Sequence, residues 1–344
     1  METKVKRHFP LPVLLPAMIL LLALHPMAWG QGMPRGFGIG ADPQGSIFYA
    51  AGSALGEMLS RRLPVPARVQ PYAGPGIVLP LINNGELELG VNNANDARMA
   101  YRGLKPFLAT PKLRLASVLF TLRVAALVRN GSSIRTLADL RGKRVAGDFR
   151  AQLAIRYNAT SILANGGLRW KDVKMVPTAN AVTGAQALME GKVDATFFTL
   201  GADKAREADA AIAGGVRFLS IETGPRNIQA MQKAMPGAYP VKVKKGAAPG
   251  VRENITVEAS DVFLVTGRHL SEAAVSAVVK ALYHNEKELR GAARPFRAFS
   301  GKRMVKLNVT IPYHPGAVKA YRELGLWTAG MNRAQAALLK AAAK

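Results

Sequence analysis

The chain has 344 residues, of which 49% are hydrophobic and 20% charged, an ordinary globular composition that excludes wholesale disorder. Lys and Arg number 47 against 22 Asp and Glu, and the net charge of +25 suits an anionic partner. Cys is absent, which excludes disulfides, thiolate metal sites and cysteine nucleophiles. Aromatic residues, at 7%, are not interleaved with the basic ones as base-stacking platforms require.

The first thirty residues have the pattern of a cleavable secretory signal peptide. Three basic residues precede an apolar run, 11–29, and Ala28 and Gly30 supply the small side chains of a cleavage site. A retained anchor is the alternative, but three prolines interrupt the run and a span needs about 20 apolar residues. We expect residues 1–30 to be removed and the product to be periplasmic, which disfavours nucleic acid as a partner. The basic charge then reflects either a solvated surface or selection for an acidic ligand.

The remaining chain alternates short apolar strands with amphipathic helices, which predicts α/β layers. The predicted strands cover residues 37–40, 68–72, 87–91, 116–120, 124–128, 143–146, 193–198, 218–221 and 262–265. The predicted helices cover residues 46–63, 77–82, 136–139, 151–163, 182–189, 271–289 and 315–325. Prolines and glycines make residues 236–258 a predicted irregular loop.

A weak internal repeat links two parts of the chain. Residues 82–89 resemble residues 188–195, which lie 106 positions later. In both segments a helix ends at a glycine suited to the left-handed cap, and an acidic residue, Glu88 or Asp194, begins the strand that follows. The repeat indicates two similar α/β lobes. It also favours a structural role for Asp194 over a role as general base.

Motifs for catalysis or metal binding are missing from the mature sequence. His269, His284 and His314 lie far apart, without the spacing that holds a metal ion. The sequence has no nucleophile elbow and no phosphate-binding loop, and its alternating glycines at 36–40 do not complete a dinucleotide fingerprint. We therefore predict no catalytic residue, no metal site and no cofactor, and a protein that is not an enzyme.

Two segments could bind a small ligand or could be ordinary turns. Residues 41–49 lead from the first strand into a helix, whose free N–H groups and positive dipole end suit a carboxylate. Ser46 lies at the cap position, and Phe48 or Tyr49 could form a wall. Residues 90–96 place several polar side chains at the end of a strand, where open sheets bind ligands.

These segments, taken in order, resemble the TAXI-type solute receptors of TRAP transporters over roughly residues 36–325. The family pattern combines a strand, a turn with two aromatics, a Gly-bearing helix, a Gly-x-Ala/Leu-Asp strand, a second-lobe equivalent and a His-Pro-Gly-Ala tail. Here these parts are residues 39–40, 45–49, 73–76, 84–89, 137–145, 189–195 and 311–317.

The resemblance implies an α/β fold, a two-lobed periplasmic binding protein of the second type, with a mixed sheet and flanking helices in each lobe. It implies a discontinuous first lobe, residues 31–122 and 258–335, and a second lobe, residues 123–257. A ligand is trapped in the cleft between the lobes and delivered to TRAP transporter membrane subunits. Family ligands are small carboxylates such as amino or keto acids.

The sequence departs from the family where the ligand is expected. The Gly/Thr-rich turn is replaced by residues 41–46, and the second-lobe turn by residues 147–152. The family's Gln and Asp fall on Asn93 and Asn95, which removes one carboxylate and favours an anion. Arg150 can replace lost donors, because its guanidinium matches a carboxylate in two parallel bonds. The predicted ligand-binding residues are Gln44, Gly45, Ser46, Phe48, Tyr49, Asn93, Asn95, Arg150, Gln152 and Thr199.

Two other functions stay open at this point. An exported enzyme on the same fold would need a convergent acid–base pair in the cleft, and the sequence suggests none. A receptor for a sensor or accessory assembly would need no transporter, and an adjacent gene for a large multi-span membrane protein would favour transport instead.

Overall fold

The structure, a computed structural model, describes residues 1–3, 32–42, 44, 46–150 and 152–341. Residues 4–30 of the predicted signal peptide lie outside the described residues, as does Gly45 of the predicted ligand site. All the elements below belong to one unit, Gly32–Lys344.

The described residues contain ten strands. They are β1 Phe37–Ala41, β2 Ala67–Pro71, β3 Leu89–Asn93, β4 Leu113–Arg129, β5 Arg144–Asp148, β6 Lys174–Thr178, β7 Ala195–Thr199, β8 Val216–Phe218, β9 Tyr239–Val243 and β10 Ile255–Gly267.

Eleven α-helices occur in the same residues. They are α1 Ile47–Arg62, α2 Pro75–Asn84, α3 Ala94–Tyr101, α4 Leu153–Asn165, α5 Ala181–Met189, α6 Asp203–Ala211, α7 Pro225–Ala234, α8 Glu272–His284, α9 Glu286–Ala292, α10 Pro315–Glu323 and α11 Ala329–Ala341. Short 3-10 turns cover Ala138–Leu140, Trp170–Asp172, Arg294–Phe296 and Gly301–Arg303.

The strands form one mixed sheet in the order β2-β1-β3-β10-β4-β7-β5-β6, with β8 beside β4 and β9 beside β10. Strands β1, β2 and β3 are parallel to one another, and so are β5, β6 and β7. The long antiparallel pair β4 and β10 lies between these two sets. Nearly every residue of β10 is buried, so the apolar core continues through the centre of the sheet.

The two parallel sets are repeats of one βαβαβ unit. The first unit (residues 37–93) contains β1, α1, β2, α2 and β3, and the second unit (residues 144–199) contains β5, α4, β6, α5 and β7. Glu88 accepts a hydrogen bond from the backbone N–H of Gly38 at 2.7 Å, and Asp194 accepts one from that of Arg144 at 2.8 Å. The predicted repeat is therefore present, and Asp194 has its predicted structural role.

The prediction of separate strands at 116–120 and 124–128 is wrong, because both belong to the 17-residue strand β4. Thr121 and Arg123 are exposed, which interrupts the apolar pattern without interrupting the strand. They stay paired with Asp261 and Ala259 of β10. The polar residues mark the place where β4 passes from the first unit to the second.

The segment predicted as a loop, 236–258, contains strand β9 and the start of β10. Pro240 lies within β9, and β9 pairs with β10 alone among the described strands. An edge strand tolerates proline because one side of it needs no ladder hydrogen bond. Proline content was therefore a misleading signal here.

The C-terminal helices also differ from the prediction. The helix predicted at 271–289 is divided at Asn285, whose φ of −112° and ψ of 30° end α8 before α9 begins. The Asn285 side chain donates to the carbonyl of Ala281 at 2.8 Å and satisfies the end of α8. Helix α11 was not predicted, and its described side chains are all exposed or half-buried.

Candidate ligand-binding site

A cavity of about 230 Å³ lies at the carboxyl ends of β1, β3 and β5, where residues of the first unit meet the loop after β5. Ligands of open α/β sheets bind at this edge. The cavity is smaller than drug-sized pockets, so it suits a small molecule. It is lined by Asp42, Phe48, Ala73, Gly74, Pro75, Gly76, Ile77, Val91, Asn92, Asn93, Asp96, Arg150, Gln152, Leu153 and Ala154.

Four helices begin at this cavity. Residues from the first turns of α1, α2, α3 and α4 line it, namely Phe48, Pro75–Ile77, Asp96 and Leu153–Ala154. A helix N-terminus carries unpaired N–H groups and about half a positive charge. The ends of four helices together therefore favour an anionic group in the cavity.

The start of α2 leaves its backbone open to a ligand. Gly74 is the N-cap residue, with a φ of 154°, and provides no side chain to cap the helix. A Cβ added at Gly74 or Gly76 would meet open space, so these glycines are not needed for packing. They let a ligand approach the backbone of the helix start closely.

Two acidic residues, Asp42 and Asp96, also line the cavity. Burial raises the pKa of Asp42 to about 6. Burial, together with the nearby charge of Asp42, raises the pKa of Asp96 to about 7. Both residues belong to segments that the sequence analysis selected, but neither was in the predicted ligand set. The expectation that Asn93 and Asn95 make this region less acidic overlooked them.

Four of the predicted ligand residues line the cavity: Phe48, Asn93, Arg150 and Gln152. Asn93 is also the N-cap of α3, because its Oδ1 accepts from the backbone N–H of Asn95 at 2.8 Å. Its Nδ2 donates to Ser260 of β10 at 3.1 Å. Gln152 accepts from the backbone N–H of Ala181 at 3.1 Å and so fastens the start of α5 to the start of α4.

Five other predicted ligand residues, Gln44, Ser46, Tyr49, Asn95 and Thr199, are not among those lining the cavity. Ser46 is the N-cap of α1 and accepts from the backbone N–H of Tyr49 at 3.0 Å. Gln44 donates to the hydroxyl of Tyr49 at 3.3 Å. Asn95 is buried beside Met99. Thr199 ends β7, opposite Val124.

Arg150 follows a strained turn. Asp148 and Phe149 have φ values of 68° and 45°, in the left-handed region that a bulky residue such as Phe rarely adopts. Phe149 is held there by full burial and by hydrogen bonds from its backbone N–H to the carbonyls of Gly147 and Thr178. Strain of this kind is concentrated at functional sites. The turn leaves the Arg150 side chain 84% exposed, with its guanidinium paired to Asp148.

The described residues hold no group of three or more His, Asp or Glu side chains that could bind a metal ion. None of the helices in the described ranges has the length and apolar character that crossing a membrane requires.

Solved structures with the same fold include a TctC solute-binding protein from Polaromonas, with 17% sequence identity and a TM-score of 0.50. The match covers 89% of this chain and 97% of that protein. The periplasmic aliphatic sulphonate binding protein SsuA from Escherichia coli aligns with 16% identity and a TM-score of 0.45, over 85% of this chain and 88% of its own. The Polaromonas match confirms the predicted fold class, an α/β periplasmic binding protein.

A family model matches residues 39–325, which span both units, β4, β10 and α10. That range nearly coincides with the range over which the sequence motifs were assigned. The chain belongs to the NMT1-like family.

Proposed function

We propose that this protein is an exported receptor that captures a small ligand with an anionic group, a carboxylate, and delivers it to a TRAP-type transporter. The observation that carries the proposal is the cavity at which four helices begin and to which both units contribute. The fold and the family support solute binding. The TRAP partner is supported by the ordered motifs shared with the TAXI receptors, from residues 39–40 to the tail at 311–317.

The proposal includes two lobes that close around the ligand. Residues 31–122 and 258–335 form the first lobe and residues 123–257 the second, with hinges near Arg123 and Val257. The strand register supports this assignment, because Arg123 of β4 pairs with Ala259, two residues from Val257 on β10. Small-angle scattering at saturating ligand is expected to give a smaller radius of gyration, and an unchanged curve contradicts closure.

Export is proposed from the N-terminal pattern of basic residues, apolar run and small residues at the cleavage position. Protein recovered from the periplasm is expected to begin within a few residues of Gln31. Membrane-bound protein that retains Met1 would contradict cleavage.

The role of Arg150 can be tested directly. A thermal-shift screen of carboxylates identifies the best ligand, since a compound that binds only the folded state raises the melting temperature. Arg150→Met keeps the apolar stem and removes the charge, so affinity is expected to fall about tenfold or more, because hydrogen bonds to charged groups contribute roughly 1.5–3 kcal/mol. Arg141→Met is the matched control: Arg141 is exposed and paired with an aspartate, Asp172, but does not line the cavity.

A loss smaller than threefold for Arg150→Met, in a folded protein, would remove Arg150 from the site. Equal losses of affinity for Arg150→Met and Arg141→Met would show that the change in net charge alone weakens binding.

One observation favours the alternative of an enzyme: Asp42 and Asp96 both line the cavity and both have raised pKa values. Raised carboxyl pKa values are typical of general acids. A receptor returns its ligand unchanged, whereas an enzyme releases a product. Mass spectrometry of the bound ligand after long incubation separates the two, and we expect the ligand to be recovered intact.

A further inference from the structure

Two residues that line the cavity each carry a buried acceptor atom without a partner. Asn92 and Asp96 are 2% and 3% exposed, and both line the cavity. Among the described residues, neither Asn92 Oδ1 nor Asp96 Oδ1 has a hydrogen-bond partner. Buried polar atoms in folded proteins are nearly always hydrogen-bonded, so each exception requires an explanation.

The chemistry of the unpartnered atoms restricts what can complete them. Both are oxygen atoms that accept hydrogen bonds, and the third polar side chain on this wall, Asp42, is also an acceptor when ionised. A carboxylate offers only acceptors, so it cannot satisfy them and would meet Asp42 and Asp96 as a like charge. An ammonium group offers three donors and a positive charge.

The acids on this wall have no basic partner within the described ranges. No ion pair involving Asp42 or Asp96 occurs in the described part of the chain, although most other buried or half-buried acids there have a basic or amide partner. The basic residue in the cavity lining, Arg150, is paired with Asp148. The raised pKa values of Asp42 and Asp96 agree with this, because a nearby cation would lower them.

We propose that the ligand also carries a cationic nitrogen, and that Asp42, Asp96 and Asn92 bind this group while Arg150 and the helix starts bind the anionic group. This inference rests on the proposed receptor function and restricts its ligand to small zwitterions. It separates amino acids from the keto acids and simple carboxylates that the proposed function alone also admits. The cavity volume of about 230 Å³ suits a molecule of that size.

Titration calorimetry on the mature protein tests the inference with matched compounds. The probes are the common amino acids, the carboxylate that each becomes when the amino group is removed, and the amine that each becomes when the carboxyl group is removed. We expect at least one amino acid to bind at least tenfold more tightly than either of its derivatives. This comparison uses the unmodified protein and does not depend on the folding of any variant.

Two substitutions test whether Asp96 and Asp42 bind the cationic group. Asp96→Asn and Asp42→Asn keep the side-chain shape and remove the charge, so each is expected to weaken amino acid binding about tenfold or more. Neither is expected to weaken binding of the deaminated carboxylate, because each removes a like charge that this probe would meet. Asp209→Asn is the control, because Asp209 is a half-buried acid that neither lines the cavity nor lies near the proposed hinges.

The outcomes distinguish this inference from the proposed function. A carboxylate that binds as tightly as its amino acid overturns the inference and leaves the receptor function intact. An amine that binds without its carboxyl group supports the cationic subsite and overturns the anionic one. Binding of none of the compounds contradicts both.

Discussion

In each βαβαβ unit, one helix packs closely against two strands. The small residues that allow this lie on the strands in the first unit and on the helix in the second. In the first unit, α2 carries Val78, and the strands beneath it carry Gly40 and Gly90, where an added Cβ would lie 2.8 Å from Val78. In the second unit the glycine is Gly184 of α5. An added Cβ there would lie 2.5 Å from Thr196 and 3.3 Å from Ala146. The three positions correspond one to one, 106 residues apart.

This exchange shows that a repeated architecture can be preserved while its sequence signal is lost. Interiors are packed at crystal density, so a close approach needs a small residue on one side, and either side will do. An alignment of residue types would find no similarity at these three positions. The packing shows that they are equivalent.

The units also differ in how their helices begin. In the second unit, Asn180 caps α5 and exchanges hydrogen bonds of 2.9 and 3.1 Å with Thr183. In the first unit the equivalent residue is Gly74, which has no side chain to offer. The second unit satisfies its own helix start, whereas the first leaves that start available to a ligand. The acids Asp42 and Asp96 follow strands β1 and β3 of the same first unit, and the amide Asn92 lies within β3.

The packing exchange predicts the largest effect on stability. Gly184→Val places a large side chain on the helix where Thr196 and Ala146 already occupy the strands. The resulting overpacking is expected to lower the free energy of unfolding by about 3 kcal/mol. Adding Ala146→Gly and Thr196→Gly transfers the complete arrangement of the first unit. Chemical denaturation is expected to show that the triple variant is more stable than Gly184→Val alone. A triple variant that is less stable would disprove the equivalence.

The next largest effect is expected for Glu88 and Asp194, the acids directly before β3 and β7. Glu88→Ala and Asp194→Ala each leave a backbone N–H without its acceptor, so each is expected to lower the free energy of unfolding by about 2 kcal/mol. The two losses should agree within about 1 kcal/mol if the units are true repeats. A measurable loss of stability in only one of the two variants would show that the two acids are not equivalent.

The charge of Asp194 adds a pH dependence. The hydrogen bond from the Arg144 side chain, with smaller contributions from the Arg144 backbone N–H and nearby charges, lowers the pKa of Asp194 below its usual range. A lowered carboxyl pKa stabilises the folded state above the unfolded-state pKa, and the contribution is lost as the pH falls through the folded-state pKa. The difference in stability between the wild type and Asp194→Asn is therefore expected at pH 7 and should disappear in acid.

The helix caps predict the smallest effect. Asn180→Ala removes the cap of α5 and is expected to lower the free energy of unfolding by about 1 kcal/mol. Because Asn180 does not line the cavity, affinity for the best ligand should stay within twofold. A large loss of affinity would mean that the second unit also binds ligand through this helix.

The sequence predicted the elements of both units to within a few residues, except β6, whose residues are exposed or half-buried and give no apolar signal. The other elements combine a regular apolar period with a clear stop signal. Gly85 and Gly191 end α2 and α5 with φ values of 84° and 73°, the left-handed conformation that their position indicated. The continuity of β4 was not predictable, since it depends on pairing with β10, which lies far away in the sequence. Long-range pairing of this kind leaves no local pattern.

Both segments predicted to bind ligand reach the cavity, but only some of the residues chosen from them line it. The stretch 90–96 does reach the cavity, yet Asn92 and Asp96 line it and Asn95 does not. The cause is that α3 begins directly after β3, so the side-chain period changes from two to 3.6 within the stretch. Arg150, which lines the cavity, was chosen because a basic residue can replace the donors that the second-lobe turn has lost. The strain at Phe149 has no signature in the sequence.

The most distinctive motif of the resemblance turns out to be structural. His314 caps α10, because its Nδ1 accepts from the backbone N–H of Gly316 at 3.1 Å, and its Nε2 lies 3.1 Å from the carbonyl oxygen of Leu270. Burial lowers its pKa to about 4, so the ring is neutral at physiological pH. The motif therefore identifies the fold and carries no information about the ligand.

The central strand pair has a consequence for how the chain reaches its destination. Leu113 pairs with Gly267 and Val124 with Glu258, so the middle of the sheet joins residues roughly 130 to 150 positions apart. Contacts between distant residues form slowly, because a long loop must close before they stabilise anything. The sheet cannot be completed until most of the chain has been synthesised. For a protein that we propose is exported, this delay lengthens the time during which the nascent chain remains unfolded and can be threaded through a membrane pore.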